Sequence, residues 1–292
     1  AAIHRGSLLG LTPKKHLPSY SNHSDQRYFQ EAFENVCEVD FNEVRVPFGT
    51  DIIYSCKSIE NLSVAVEIGE DAMVPITPSM KHMLNGAGII ANPTAFERLV
   101  GETGQRKEYI KALAARLHTV YISSSAGAGE STQNVVYSSA KLIVEDQTIL
   151  EESCDPETEI ICTDVDLELI SAVRRKLNTY KVREDDYTVV DFELECMELE
   201  LNRYIEKFPW IRNESIEEYE ELLLIQALGL KKRMEHTGLK AVVIGLSGGL
   251  DSTLALLVAV KTFELMKLNK NNIYTITMPG FGTTGRTYHN AC

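Results

Sequence analysis

Ser247-Gly248-Gly249-Leu250-Asp251-Ser252-Thr253 is the stretch of this chain whose residue types and spacing could do chemistry. A glycine carries no Cβ, so Gly248 and Gly249 are expected to let the backbone turn left-handed and bring N–H groups against a ligand. Ser247, Ser252 and Thr253 add hydroxyl donors, and a helix expected to start here points its positive end at the same spot. The loop is therefore read as an anion cradle. It has no lysine of the G-x-x-x-x-G-K-[ST] kind to accompany a γ-phosphate. Asp251 stands there instead, and a carboxylate among phosphates calls for a bridging cation. Asp251 is accordingly read as a Mg²⁺ ligand, and the loop as a seat for pyrophosphate as a leaving group. Two other readings use the same residues. Gly245-Leu246-Ser247-Gly248-Gly249 fits G-x-S-x-G, the elbow of serine hydrolases with Ser247 as nucleophile. That chemistry needs an acid and then a histidine further on; Asp251 is too near in sequence to serve as the acid, and His289 is the sole histidine after it. A plain glycine turn in an α/β sheet is the third reading.

The elements that must position this loop are legible around it. Val242-Val243-Ile244 is an apolar, branched run of the kind found in buried parallel strands, and Leu254 to Val260 reads as a buried helix. Strand 241–246, helix 252–266 and strand 273–278 form one βαβ unit, expected to be right-handed, with the Ser247 and Met278 loops at the carboxyl ends of its strands, where such sheets bind ligands. Upstream, Ser215-Ile216-Glu217-Glu218 is a capping box. It opens a helix whose Tyr219, Leu222, Leu223, Ala227 and Leu230 share a face and whose stop is Gly238.

Ser247-Gly248-Gly249-Leu250-Asp251-Ser252 resembles the S-G-G-x-D-S signature of the ATP pyrophosphatases, which adenylate a substrate by splitting ATP between its α and β phosphates. With Gln226 to Leu230, Lys232 to Gly238 and Met278 to Tyr288, the segment is similar to the synthetase domain of glutamine-dependent NAD⁺ synthetases. The resemblance implies ATP contacts at Ser247, Gly248, Gly249, Leu250, Asp251, Ser252 and Met278, with Mg²⁺ on Asp251. It implies ATP-dependent amidation of deamido-NAD⁺ through an adenylate, a C–N bond-forming ligase reaction, in a homo-oligomer. Gly285 and His289 depart from the family's D-R-T-Y-N-N pattern.

The first half of the chain carries a second resemblance. Pro13-Lys14-Lys15-His16-Leu17-Pro18-Ser19-Tyr20 resembles the P-K-x-x-L-P-x-Y segment of the nitrilase-type glutaminase domain of the same family. Lys14 then corresponds to the lysine that stabilises the oxyanion in amide attack. Where the family reads V-E-I-C-E-D-L-W, this chain reads Val66-Glu67-Ile68-Gly69-Glu70-Asp71-Ala72-Met73. Gly69 takes the place of the nucleophilic cysteine, and a glycine cannot start covalent chemistry. Tyr20 and Glu70 are read as remnants of the glutamine site. Further departures at Ser19 to Arg27 and Ala91 to Glu97 favour a glutaminase that has drifted out of use, so the synthetase is expected to take ammonia from solvent or another protein. The resemblance puts the triad glutamate before residue 1, and the rest of the deamido-NAD⁺ site beyond Cys292. The alternatives are another adenylating amidotransferase, of GMP-synthetase type, and a regulatory pseudoenzyme.

The expected architecture is α/β: a nitrilase-like α-β-β-α sandwich over residues 1–178, a connecting segment 179–213, and a parallel-sheet ATP-binding domain over 214–292. In the first part, residues 1–11 read as two short strands about a turn at Arg5-Gly6-Ser7. Gln105 to His118 reads as a helix, and Val120 to Ser125, Val135 to Tyr137 and Ile160 to Val165 as strands. Asp166 to Leu177 is a basic-ended helix, and Trp210 is a packing anchor. Bulk composition agrees with a two-domain protein, with 292 residues, 44% of them apolar. Twenty-nine basic against 42 acidic side chains give −13, which argues against a nucleic-acid partner. Six cysteines without a C-x-x-C pair indicate neither zinc nor a disulfide frame and suit a reducing cytoplasm. No apolar run is long enough for a membrane span, and no signal pattern opens the chain.

Overall fold

The structure is a computed structural model and describes residues 1–21, 23–127, 129–130, 135–180, 186–195, 203–205, 207–208 and 215–292. It divides into two compact units, Ala1–Tyr204 and Ile205–Cys292.

The first unit is built on a seven-stranded mixed sheet. Its chain begins with β1 (Ala2–His4) and β2 (Ser7–Gly10), an antiparallel pair about the expected turn, then a single helical turn α1 (Asp25–Tyr28) and the hairpin of β3 (Cys37–Phe41) and β4 (Val44–Phe48). The large sheet follows with β5 (Ile52–Cys56), β6 (Ser63–Val66), α2 (Pro78–Leu84), β7 (Ile89–Thr94), α3 (Glu102–Leu117), β8 (Val120–Ser125), β9 (Lys141–Glu145), β10 (Thr148–Ser153), α4 (Leu167–Lys176) and β11 (Thr188–Phe192). Strand order is β10-β9-β8-β7-β6-β5-β11, with β6, β7 and β8 parallel.

Side chains alternate across this sheet because successive Cβ atoms of a strand point to opposite faces. Ala65, Ile90, Tyr121 and Val144 face one side, where Met83 of α2 and Ile110, Leu113, Ala114 and Leu117 of α3 pack on them. Ile89, Val120 and Ile143 face the other, against Ile170 of α4.

Three segments differ from their sequence reading. Ile160 to Val165, read as a strand, is not one; Ile161 and Val165 lie against the Ile89 face, so their apolar alternation serves packing rather than a ladder. Val135 to Tyr137 is likewise not a strand. Tyr137 makes a single bridge to Glu97, with Arg98 N–H donating to Val136 O and Ser138 N–H to Phe96 O. Thr188–Phe192, placed by sequence in the connecting segment, runs parallel to β5 at the edge of the large sheet. Pro209 to Ile211, with Trp210, and Ser131 and Thr132 lie outside the described residues.

The second unit has α5 (Ile216–Thr237), β12 (Val242–Gly245), α6 (Leu250–Met266), β13 (Ile273–Ile276) and α7 (Gly285–Ala291). The capping box forms: Ser215 N–H donates to Glu218 Oε2 at 2.6 Å and Glu218 N–H to Ser215 Oγ at 3.3 Å. Gly238 ends α5 in the left-handed region at φ +71. β12 and β13 pair in parallel on either side of α6. α5 and α6 bury Ala227, Met234, Val258, Ala259 and Phe263, and Thr262 Oγ1 donates to Ala227 O at 3.1 Å.

Candidate functional site

Two loops, one in each unit, carry the residues singled out by sequence. In the second unit the chain leaves β12 at Gly245 and turns through Ser247 and Gly248 into α6. Leu246 N–H donates to Ile276 O at 2.9 Å, which ties the loop to the end of β13. Gly248 alone takes the left-handed turn, at φ +80; Gly249 is extended at φ −94, ψ 168, because it serves as the N-cap of α6. The hydroxyls organise the loop from within. Ser247 N–H donates to Ser252 Oγ at 3.2 Å, the two hydroxyls lie 3.1 Å apart, and Ser252 Oγ donates to Gly249 O at 3.0 Å. Leu250 and Asp251 lie in the first turn of α6 with exposed side chains, so Asp251 is open to a ligand at the positive end of the helix. Met278 Cε stands 3.4 Å from where a Cβ on Gly245 would be, beside the strand end. α7 closes on the turn itself: a Cβ on Gly248 would lie 2.0 Å from Thr287 O. No sequence signal foretold that contact, since Thr287 lies far along the chain.

In the first unit β6 ends in a tight 3₁₀ turn, Gly69–Met73, which opens on Gly69 with φ +57. A Cβ added there would meet only Lys14, at 3.9 Å from both Cε and Nζ. The ammonium and the empty side-chain position therefore face one another across ordinary contact distance. Lys14 is paired with Asp25, Nζ to Oδ2 2.7 Å. Tyr20 donates to Glu70 Oε2, and that bond to a carboxylate pushes the phenol up to about 12. His23 Nε2 stands 3.9 Å from Glu70 Oε1. Lys14, Asp25, Gly69, Glu70, Glu97 and Tyr137 line one cavity of about 300 Å³.

What sets Lys14 against Gly69 is Asp71, a residue to which the sequence reading gave no role. Its buried carboxylate accepts Lys15 N–H at 3.0 Å, His16 N–H at 2.7 Å and Ile68 N–H at 3.2 Å. One side chain thus joins the lysine loop to the glycine turn, some 55 residues apart in sequence. The sole signal for it was its place beside Glu70. Behind the turn Glu67 is buried, accepting Tyr121 Oη–H at 2.5 Å and Ser79 N–H at 2.9 Å, and burial raises its carboxyl above the usual range. His82 lies within hydrogen-bond distance of Tyr187 Oη at 3.0 Å and Val66 O at 3.2 Å; burial depresses its imidazole from 6.5 to about 4.

The comparisons with known proteins bear on both loops. The NAD synthase family matches residues 224–292, which include the Ser247–Ser252 loop. Over 303 residues the chain is 31% identical to a glutamine-dependent NAD(+) synthetase of Mycobacterium leprae, covering 99% of this chain and 45% of that protein. The similarity to glutamine-dependent NAD(+) synthetases thus runs through nearly the whole of this chain. The synthetase of that name from Thermotoga maritima is 27% identical over 299 residues, 100% of this chain and 46% of its own. The chain spans about half the length of the curated relatives it matches. Among solved structures, a glutamine-dependent NAD(+) synthetase from Cytophaga hutchinsonii covers 99% of this chain and 46% of its own at 17% identity, with a TM-score of 0.47. A carbon-nitrogen hydrolase from Helicobacter pylori covers 59% of this chain and 57% of its own at 15% identity, TM-score 0.44. Among the described residues no helix is long and apolar enough to cross a membrane.

Proposed function

We propose that this protein amidates deamido-NAD⁺ to NAD⁺ at the expense of ATP, using ammonia that its own first unit does not generate. The observation that carries the reading is an intact Ser-Gly-Gly-Leu-Asp-Ser loop in a chain that has a glycine where a nucleophilic side chain would be needed, a position from which a Cβ would lie 3.9 Å from Lys14.

The loop amides and the Ser247 and Ser252 hydroxyls hold the β and γ phosphates of ATP, with Met278 at the adenine side. The carboxylate of deamido-NAD⁺ attacks the α-phosphorus; a C–O–P link forms, and the bond to the bridging oxygen breaks to release pyrophosphate. Ammonia then attacks the acyl carbon, the C–N bond forms, AMP leaves with the oxygen, and the nitrogen loses its extra proton. Positioning and neutralisation of phosphate charge supply the rate in such a step. The donors suit Mg²⁺. Among the described residues no three acidic, His or Cys side chains cluster as a preformed cage. Asp251 is a single open carboxylate in the first turn of α6, suited to a cation that keeps its waters and arrives with phosphate. When bound there it neutralises charge on the departing pyrophosphate.

NAD⁺ formation by the full-length protein from deamido-NAD⁺ and Mg-ATP, with ammonium or glutamine as donor, tests this reading. Turnover with ammonium alone is expected. Turnover with glutamine in a preparation free of other glutaminases refutes the reading of Gly69. Failure of ATP–pyrophosphate exchange to depend on deamido-NAD⁺ refutes the substrate. Gly69→Cys is expected to restore use of glutamine if the remaining triad carboxylate is in place.

A further inference from the structure

At the end of the large sheet opposite Gly69, a cavity of about 470 Å³ opens where β6 and β7 begin. Asn61 precedes β6, Gly86 and Gly88 precede β7, and one face of α4 from Leu167 to Arg175, with the residues after it, forms the other wall. Its floor is apolar, from Met83, Ile170 and Leu177. Its polar groups are Asn61, Ser171, Arg174, Arg175, Asn178 and Tyr180, with no carboxylate in the lining among the described residues.

Arg174 is the unusual member. Its Nε–H donates to His118 O at 2.8 Å and its Nη1–H to Ala87 O at 2.9 Å, and the guanidinium lies 5.5 Å from the centre of the Tyr180 ring. These contacts fix the group rigidly but do not neutralise it. Nη2 is shielded from solvent and has no partner, and among the described residues no carboxylate forms an ion pair with Arg174 or Arg175. A buried charge without a counter-ion is costly and usually finds one. Burial correspondingly pulls the Arg174 guanidinium below its ordinary range. The cations at the end of α4 also suit the helix dipole. That accounts for Lys176 on the surface, but not for an orphan N–H beside a cavity large enough for a small molecule. The concentration of positive charge runs against a chain of net charge −13.

We propose that this cavity is a binding site for a small organic anion, an apolar or aromatic body carrying one carboxylate or phosphate. The oxyanion lies in the field of Arg174 and accepts hydrogen bonds from Arg175 and from the side-chain amides of Asn61 and Asn178. The body rests on Met83, Ile170 and Leu177. The site shares no residue with either loop described above and does not depend on the synthetase reading.

Arginine labelling by phenylglyoxal, mapped by peptide mass in the full-length protein, gives a readout confined to this site, because Arg175 is exposed. Benzoate, phenyl phosphate and the neutral benzamide are the probes. At millimolar concentrations benzoate or phenyl phosphate is expected to slow labelling of Arg175 at least fivefold, the better of the two identifying the oxyanion, while benzamide leaves it unchanged. Arg175→Glu, a surface change that leaves the Arg174 carbonyl bonds intact, is expected to weaken binding of the protecting anion at least tenfold in calorimetric titration. Equal protection by benzamide would mean an apolar cavity without anion recognition, and no protection by either anion would mean that the Arg174 charge is met within the protein. Either result overturns the proposal.

Discussion

Gly69 and Gly248 each stand near the end of a parallel strand, with φ +57 and +80, and lead into a helical turn, yet they are glycine for different reasons. A Cβ on Gly69 would meet nothing nearer than Lys14 at 3.9 Å, so there is space for a side chain and only the backbone conformation is strained. A Cβ on Gly248 would collide with Thr287 O at 2.0 Å, so no side chain can be placed without moving α7. At Gly69 the missing side chain leaves open space in a pocket held by Lys14 and Asp71. Absence at Gly248 is what allows the pocket to close. The same residue type leaves room for a side chain in one unit and is required by close packing in the other.

Gly248→Ala presses hardest on that comparison. Displacement of the loop by about an ångström is expected to lower ATP–pyrophosphate exchange on the order of a hundredfold, and retention of full exchange would show that α7 does not constrain the loop. Asp71→Ala tests whether the first pocket is still held together. It strands three backbone N–H groups, and urea titration should register a loss of about 3–5 kcal/mol in the first unit.

His82 gives the first unit an acid sensitivity. Its folded pKa is about 4 and its unfolded value 6.5. Between the two, the unfolded chain binds a proton that the folded chain does not. Its contribution is therefore whole above pH 6.5 and is lost as the pH falls toward 4, by about 3 kcal/mol. Glu67, raised by burial, acts in the opposite sense, losing stability as the pH rises above its unfolded value. The readout is thus the difference between the parent and His82→Asn across that range; parallel stability curves would rule out the assignment. The smallest effect is expected from Gly69→Ala, about 1 kcal/mol for a left-handed alanine with ordinary contacts around it. A loss several times larger would erase the distinction between the two glycines.

What the sequence determined by itself was local. The Ser247–Ser252 loop between a strand and a helix, the Ser215–Glu218 capping box, the stop at Gly238 and the emptiness of position 69 all depend on residues within a few places of one another. Backbone sterics and short hydrogen bonds act at that range. Even there the division of labour between Gly248 and Gly249 was decided by the helix cap. Apolar alternation at Ile160 to Val165 misled because packing onto a sheet face uses the same pattern as pairing within a sheet. Only the tertiary structure could bring Asp71 under the Lys14 loop, set Asp25 against Lys14, add Thr188–Phe192 to β5, lay Thr287 on Gly248 and place Arg174 beside a cavity with no ion-pair partner among the described residues. Each of these joins residues distant in the chain, and nothing in the spacing of a linear sequence encodes which distant carboxylate or carbonyl will satisfy a buried donor.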